Sequence, residues 1–231
     1  AALAANRKGA SDLLALADSH GVEKVKSFMI KLKEHARRMT IDTIKKYPVQ
    51  EGHAIEYLDD GTPLEVNISR KEDGYLIDFS GSGGVHPGNL NANPAIVHSV
   101  IMYVLRLLLK DDIPLNDGML SPIEVILPEG MLNPPFPDDP GECPALVGGN
   151  VEVSQRLTDT LLKALKLQAA SQGTMNNVLF GNNKFGYYET ICGGCGAGRD
   201  FDGADAVHHH MTNTRITDPE IMEYRYPVRL V

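Results

Sequence analysis

Across residues 1–48 the apolar side chains recur at helical steps. Leu13, Leu14 and Leu16 mark a first helix, Gly21 stands where a C-terminal breaker belongs, and Val25, Phe28, Met29, Leu32 and Ala36 return every three or four residues in a second. This spacing predicts an antiparallel helical hairpin. Ala1 through Ala5 already favour helix and no capping residue precedes them, so the chain reads as an interior piece whose start lies upstream.

From His53 the period changes from helical to alternating. HAIEYL, PLEVNIS and GYLIDFS predict three short strands, with Glu72-Asp73-Gly74 supplying turn chemistry between the last two, hence a small antiparallel meander. Ser80 to Pro94 reads as a Gly-, Ser- and Asn-rich loop. Asn93-Pro94 then opens an apolar helix through Ile96, Val100, Val104, Leu107 and Leu108. Eight prolines between residues 111 and 148 leave room for one strand at Ile123–Leu127 on an otherwise stiff path that crosses a surface or lines a site. Asn150 or Ser154 is expected to open the next helix, through Leu157, Leu161, Leu162 and Leu165. The loop SQGTMNN leads into alternating segments near Val178–Phe180 and Tyr187–Ile191. The pattern is that of an α+β protein, a helical hairpin over residues 1–48 followed by a mixed α/β body with antiparallel strands over residues 49–231.

Composition adds three constraints. With 42% hydrophobic and 23% charged residues in 231, the chain is an ordinary globular sequence able to build a core. The formal charge of -8 argues against nucleic acid as a partner. That charge is uneven: residues 1–48 carry 10 Lys/Arg against 5 Asp/Glu, net +5, which leaves -13 for the remainder. A basic helical arm of this kind suits docking on an acidic neighbour. Neither a membrane span nor a signal core is visible, and three cysteines, an odd number, point to free thiols in a reducing compartment, so the cytoplasm is expected.

Candidate chemistry gathers between Tyr187 and Val231. If Ala206–Met211 is a strand, His208 and His210 share one face and His209 takes the other. Two imidazoles so placed can bind a divalent metal or act as acid and base, or simply hydrogen-bond nearby carbonyls. Cys192-Gly193-Gly194-Cys195 is a C-x-x-C without further ligands of matching spacing, which favours a tight glycine turn over zinc or dithiol chemistry. The run GGCGAG offers backbone amides to an anion but matches no nucleotide-binding pattern. In NTRITDPE, Asp218 before Pro219 reads as a helix cap, while Asn213 and Arg215 suit a carboxylate or a planar amide. Gln172, Thr174, Asn176 and Asn177 form a second polar loop, suited either to a ligand or to internal pairing.

Together the strings DFSGS, IPLNDGML, GGNVEVSQR, AASQGTMNNVLFGN, YYETICGGCGAG and HMTNTRITDPEIMEYRYPV resemble the hydantoinase B / 5-oxoprolinase family, which also includes the alpha subunits of acetone and acetophenone carboxylases. The motifs span nearly the whole chain in order. Members usually carry small residues where Cys192 and Cys195 stand, which supports the glycine turn with incidental thiols. Members are also much longer, with histidine and aspartate motifs upstream of the helical hairpin and more chain beyond RYPV.

The resemblance implies ATP-assisted opening of a cyclic amide, 5-oxoproline or an N-substituted hydantoin, in an oligomeric assembly. A hydantoinase A-type subunit or domain would handle ATP, and any divalent metal would take its ligands outside this chain. Within that scheme the residues themselves suggest His208 or His210 as proton carriers, and Gln172, Asn176, Asn177, Asn213 and Arg215 as substrate-binding groups. Two alternatives share the motifs: a subunit of an ATP-dependent ketone carboxylase, and a scaffold that is inactive alone and docks the ATP-handling partner.

Overall fold

The computed structural model describes residues 1–47, 49–109 and 112–231. The boundary expected between residues 48 and 49 falls at Pro48, which lies outside the described residues.

Two helices open the chain, α1 (Ala2–His20) and α2 (Val22–Lys46), broken at Gly21, whose φ of 84° is a left-handed conformation that glycine adopts without penalty. Periodicity locates both helices correctly. It does not foretell that α1 buries none of its residues, and that α2 buries only Val25 and, in its last turns, Ala36, Thr40, Ile41 and Ile44. Leu16, Phe28, Met29 and Leu32 instead line an open apolar hollow of ≈ 410 Å³.

The meander forms as the alternation requires. Strands β1 (Glu51–Tyr57), β2 (Pro63–Arg70) and β3 (Tyr75–Asp78) pair antiparallel, and β4 (Ile123–Ile126) joins β3 in parallel, giving the order β1-β2-β3-β4. Along β2, Leu64, Val66 and Ile68 are at most 2% exposed while Glu65, Asn67 and Ser69 face away, so one register serves the core. Burying three such side chains contributes roughly 1.5–3 kcal/mol each. The parallel β3–β4 pairing needs a crossover, and helix α3 (Pro94–Leu108) lies within it, capped by the Asn93 side chain, which accepts the Ile96 N–H at 3.0 Å.

Helix α4 (Glu152–Ala164) is the central element. It packs on β1, β2 and α3 and is buried on nearly every side, from Val153 through Leu162 apart from Arg156. Neither Asn150 nor Ser154 caps it. The helix starts at Glu152 without a side-chain cap, and Ser154 lies inside its first turn, where its hydroxyl donates back to the Asn150 carbonyl at 2.8 Å.

The remaining strands form two small ribbons, β5 (Asn176–Gly181) with β6 (Gly186–Ile191), and β7 (Gly194–Cys195) with β8 (Ala204–Asp205). Asn176 and Asn177 therefore belong to a strand rather than to the SQGTMNN loop. The last helix, α5 (Pro219–Arg225), is capped by Asp218, which accepts the Glu220 N–H at 2.8 Å, as its sequence predicts. Among the described residues no helix is long and apolar enough to cross a membrane.

Candidate functional site

The fully buried residues of the main apolar cluster end at Leu165, so the segment beyond it must be held to the body by other means. A polar stripe on α4 does this. Glu152, Gln155 and Asp159 recur at three- and four-residue steps, which puts them on one helix face. Glu152 accepts the Thr174 hydroxyl. Gln155 donates to the Thr174 carbonyl at 3.3 Å and accepts the Met211 N–H at 3.1 Å. Asp159 accepts the Ser171 N–H at 3.1 Å through one carboxylate oxygen and the His210 ring at 3.1 Å through the other. One face of one helix thus carries both polar loops, residues 168–175 and 206–217.

The three histidines do not form a strand. Thr212 folds back on His209 through its N–H and its hydroxyl, making a tight turn, and Ala206 and His210 take left-handed φ values of 54° and 52°. The alternation expected for His208 and His210 is broken, and the rings of His209 and His210 come together instead, with centroids 4.4 Å apart. His210 is enclosed, its side chain 3% exposed. It gives Nε2–H to Asp159, and its Nδ1 faces the Tyr103 hydroxyl on α3 at 3.2 Å. The edge of the Tyr103 ring also packs against His210, and burial raises the phenol above its ordinary range. His208 approaches the Thr214 hydroxyl at 3.3 Å through Nε2. Its Nδ1 is buried and has no hydrogen-bond partner among the described residues, and the same holds for Nε2 of Gln172.

Gln172 joins three segments. Its backbone N–H donates to Nε2 of His209 at 3.3 Å, and its side-chain oxygen accepts the Gly193 N–H at 2.6 Å. Burial first, and then the neighbouring His210, push the His209 imidazole below the usual histidine range, so it is neutral and able to accept at Nε2. A surface hollow of ≈ 260 Å³ lies between Ser171–Gln172 and Gly193–Gly196, with Ala204–Asp205 at its edge. The glycine run is not an open anion nest, because Gly193 donates to Gln172 and Gly196 donates to the Ser171 hydroxyl at 3.1 Å. Cys143, Cys192 and Cys195 are free thiols.

The other expected ligand-binding groups divide. Asn213 and Arg215 are exposed, and among the described residues Arg215 has no ion pair. Asn177 accepts the Tyr188 and Thr190 hydroxyls at 2.8 and 3.0 Å across the β5–β6 ribbon, which commits its carbonyl to the hairpin. Asn176 is exposed at the end of that ribbon, opposite Ile191.

Sequence pattern alone does not single out Asp159, Gln155, Tyr103 or Glu189. Glu189 on β6 is 8% exposed and accepts the Tyr187 hydroxyl at 2.6 Å and the Thr217 N–H, holding the far end of the 206–217 loop. Burial alone would raise its carboxyl, but the Tyr187 hydroxyl, the Thr217 N–H and hydroxyl, and His208 together hold it below the usual carboxylate range. The available signal was a run of polar residues at helical spacing among Leu157, Leu161 and Leu162, and a glutamate among the β-formers of YYETI.

Among the described residues no three His, Cys, Asp or Glu side chains converge as a metal centre. Asp159 and His210 are turned on each other and His208 on Thr214, so these groups do not fit a metal site made by this chain alone.

Comparison with known proteins places this arrangement. The 5-oxoprolinase of Dictyostelium discoideum is 44% identical over 238 residues, covering 99% of this chain and 18% of that protein. Two solved structures share the fold at low identity. The ATP-dependent caprolactamase of Pseudomonas jessenii matches with a TM-score of 0.64 at 19% identity, over 94% of this chain and 40% of its own. A nucleotide-free acetone carboxylase matches with a TM-score of 0.66 at 20% identity, over 93% of this chain and 33% of its own. The chain spans about a fifth of the length of the Dictyostelium protein and of other curated relatives that are 40–44% identical to it. The family model for hydantoinase B/oxoprolinase matches residues 1–231, and the chain belongs to that family.

Proposed function

We propose that the enzyme containing this chain opens a cyclic amide, 5-oxoproline or an N-substituted hydantoin, using ATP handled by a hydantoinase A-type subunit or domain. In this reading the γ-phosphoryl of ATP passes to the amide carbonyl oxygen with release of ADP. Water adds to the carbonyl carbon, the ring C–N bond breaks as the departing nitrogen takes a proton, and phosphate leaves. A divalent metal, if the reaction uses one, is held by residues outside this chain.

The chain supplies one wall of the site. Arg215, exposed and without an ion pair, takes the substrate carboxylate, Asn213 beside it takes an amide edge, and Gln172 donates through its unpartnered amide nitrogen. His208, whose Nδ1 is free of internal partners, moves the proton, while the enclosed His210 holds the loop in place. The observation that supports this assignment is the meeting of Gln172 and His209, 37 positions apart, which brings the SQG and HMTNTR segments to one place on α4.

The test is an assay of the complete enzyme with its ATP-handling part. Stoichiometric ADP and ring-opened product, glutamate from 5-oxoproline or the carbamoyl acid from an N-substituted hydantoin, formed only when that cyclic amide is present is the expected result. ADP release that requires a ketone and bicarbonate instead would make the protein a carboxylase, and an enzyme that responds to neither cyclic amide nor to ketone with bicarbonate would overturn both readings.

A further inference from the structure

We infer that Asp159 is a positioning residue for ring opening, one carboxylate that sets the two substrate-holding loops relative to each other. The inference rests on the cyclic-amide reading for its substrate and on geometry for its mechanism. The Asp159 side chain is 5% exposed, and its two oxygens go to different loops. Oδ2 accepts the Ser171 N–H at 3.1 Å, and Oδ1 accepts the His210 ring at 3.1 Å. Gln172 follows Ser171 directly, and His208 lies two residues before His210, so the anchored atoms are within two residues of the proposed substrate-facing Gln172 and His208.

Apolar packing offers little alternative support for these loops. From residue 168 onward, Met211 is the one described side chain that packs against the main apolar cluster. His210 also holds a left-handed backbone, which a non-glycine residue seldom keeps unless its side chain is anchored. Asp159 and Tyr103 are the groups that hold that side chain, from α4 and α3 respectively. The neighbouring Gln155 also spans the loops, but through Thr174 and Met211, each one residue further from Gln172 and His208.

Asp159→Asn in the complete enzyme keeps the shape and removes one of the two acceptors. The expected result is a kcat for 5-oxoproline lowered about ten- to a hundredfold with KM for ATP unchanged, since a misplacement of 1 Å can cost about a hundredfold. His210→Gln combined with Asp159→Asn is expected to be no slower than Asp159→Asn alone, within about twofold, because both cut one link. Amide hydrogen exchange in an Asp159→Ala variant, which removes both acceptors, supplies a readout independent of turnover: residues 168–175 and 206–212 exchange faster together while β1–β3 do not change. Wild-type kcat and KM, multiplicative losses in the double variant, or faster exchange in one loop alone would each overturn the inference.

Should Asp159→Asn fail to fold, Tyr103→Phe carries the test by removing only the outer contact to His210. Lowered kcat with faster exchange confined to residues 206–212 is then expected, and an unchanged enzyme counts against the anchor. A wild-type enzyme that releases ADP in response to neither 5-oxoproline nor an N-substituted hydantoin sinks the cyclic-amide reading, and the exchange data alone then decide on Asp159.

Discussion

The Gln155 amide accepts the Met211 N–H and donates to the Thr174 carbonyl, so one buried side chain satisfies a backbone group from each polar loop. Truncating it to alanine removes both bonds at a site that is 0% exposed. Each backbone group left unpaired in a buried place costs about 1–3 kcal/mol. Gln155→Ala is therefore expected to destabilise the protein by roughly 3 kcal/mol, and Gln155→Glu, which keeps the acceptor but sets an unpaired buried carboxylate against the Thr174 carbonyl, is expected to cost at least as much. The unfolding midpoints of the two variants measure the order.

Gly52 on β1 has its missing side chain aimed at α4. A Cβ there would lie 2.4 Å from the Ala164 carbonyl oxygen, a backbone atom that cannot turn aside. Gly52→Ala gains about 0.4–1 kcal/mol by restricting the unfolded chain, but overpacking costs about 1–3 kcal/mol. Net destabilisation is expected, read as a lowered melting temperature. A variant more stable than wild type would mean that the strand slides away from α4 freely.

Much of the scaffold was legible because local pattern and tertiary role agree. Leu64, Val66 and Ile68 alternate in sequence and face one core, and Asn93 and Asp218 cap the helices that their own spacing announces. The site was less legible, for reasons that particular residues show. Helix α4 is buried on nearly every side, so it has no polar outer face against which Asp159 and Gln155 stand out. The period-two reading of His208 and His210 fails because the Thr212 turn puts His210 in a left-handed conformation, which alternation cannot encode. The partners of Asp159 lie on loops beyond it in the chain, and Tyr103 reaches His210 across 107 positions, a pairing that a single sequence does not display. The motif strings that resemble the family locate the loops but not the helix that joins them.

Glu189 gives stability a defined acid limit. Its folded-state carboxyl is held below the ordinary value of 4.5, so its contribution is complete above that pH and is lost as pH falls through the lower folded value. Glu189→Gln is expected to lose about 1–3 kcal/mol at pH 7 by weakening the hold on the Thr217 N–H. The gap between variant and wild type should shrink below pH 4.5, where the wild-type group also takes up its proton. A gap that stays constant down to pH 3 would show that the charge of Glu189 plays no part.

His209 acts in a higher window. Burial depresses its folded value below 6.5, so the unfolded chain binds a proton that the folded chain refuses. Stability contributed by the neutral ring is therefore complete above pH 6.5 and declines as the pH falls from there toward the folded value. His209→Gln, which preserves an acceptor for the Gln172 N–H, is expected to flatten the slope of the unfolding midpoint between pH 5 and 7 without a large change at pH 8. An unchanged slope would assign the dependence to another group.

Arg215 separates binding from scaffolding most cleanly, because it is exposed and no ion pair is lost with it. Arg215→Ala is expected to leave the melting temperature within the range of ordinary surface substitutions, about 0.5 kcal/mol. Loss of a charge-assisted hydrogen bond to a carboxylate, about 1.5–3 kcal/mol, corresponds to roughly a ten- to hundredfold rise in KM for 5-oxoproline. A lactam of the same ring size without the carboxylate supplies the control. Turned over at all, it should show the same KM with the wild-type enzyme and with the Arg215→Ala variant, since it has nothing for the guanidinium to grip. Equal losses for both substrates would mean that Arg215 shapes the loop, and an unchanged KM for 5-oxoproline would remove it from the site.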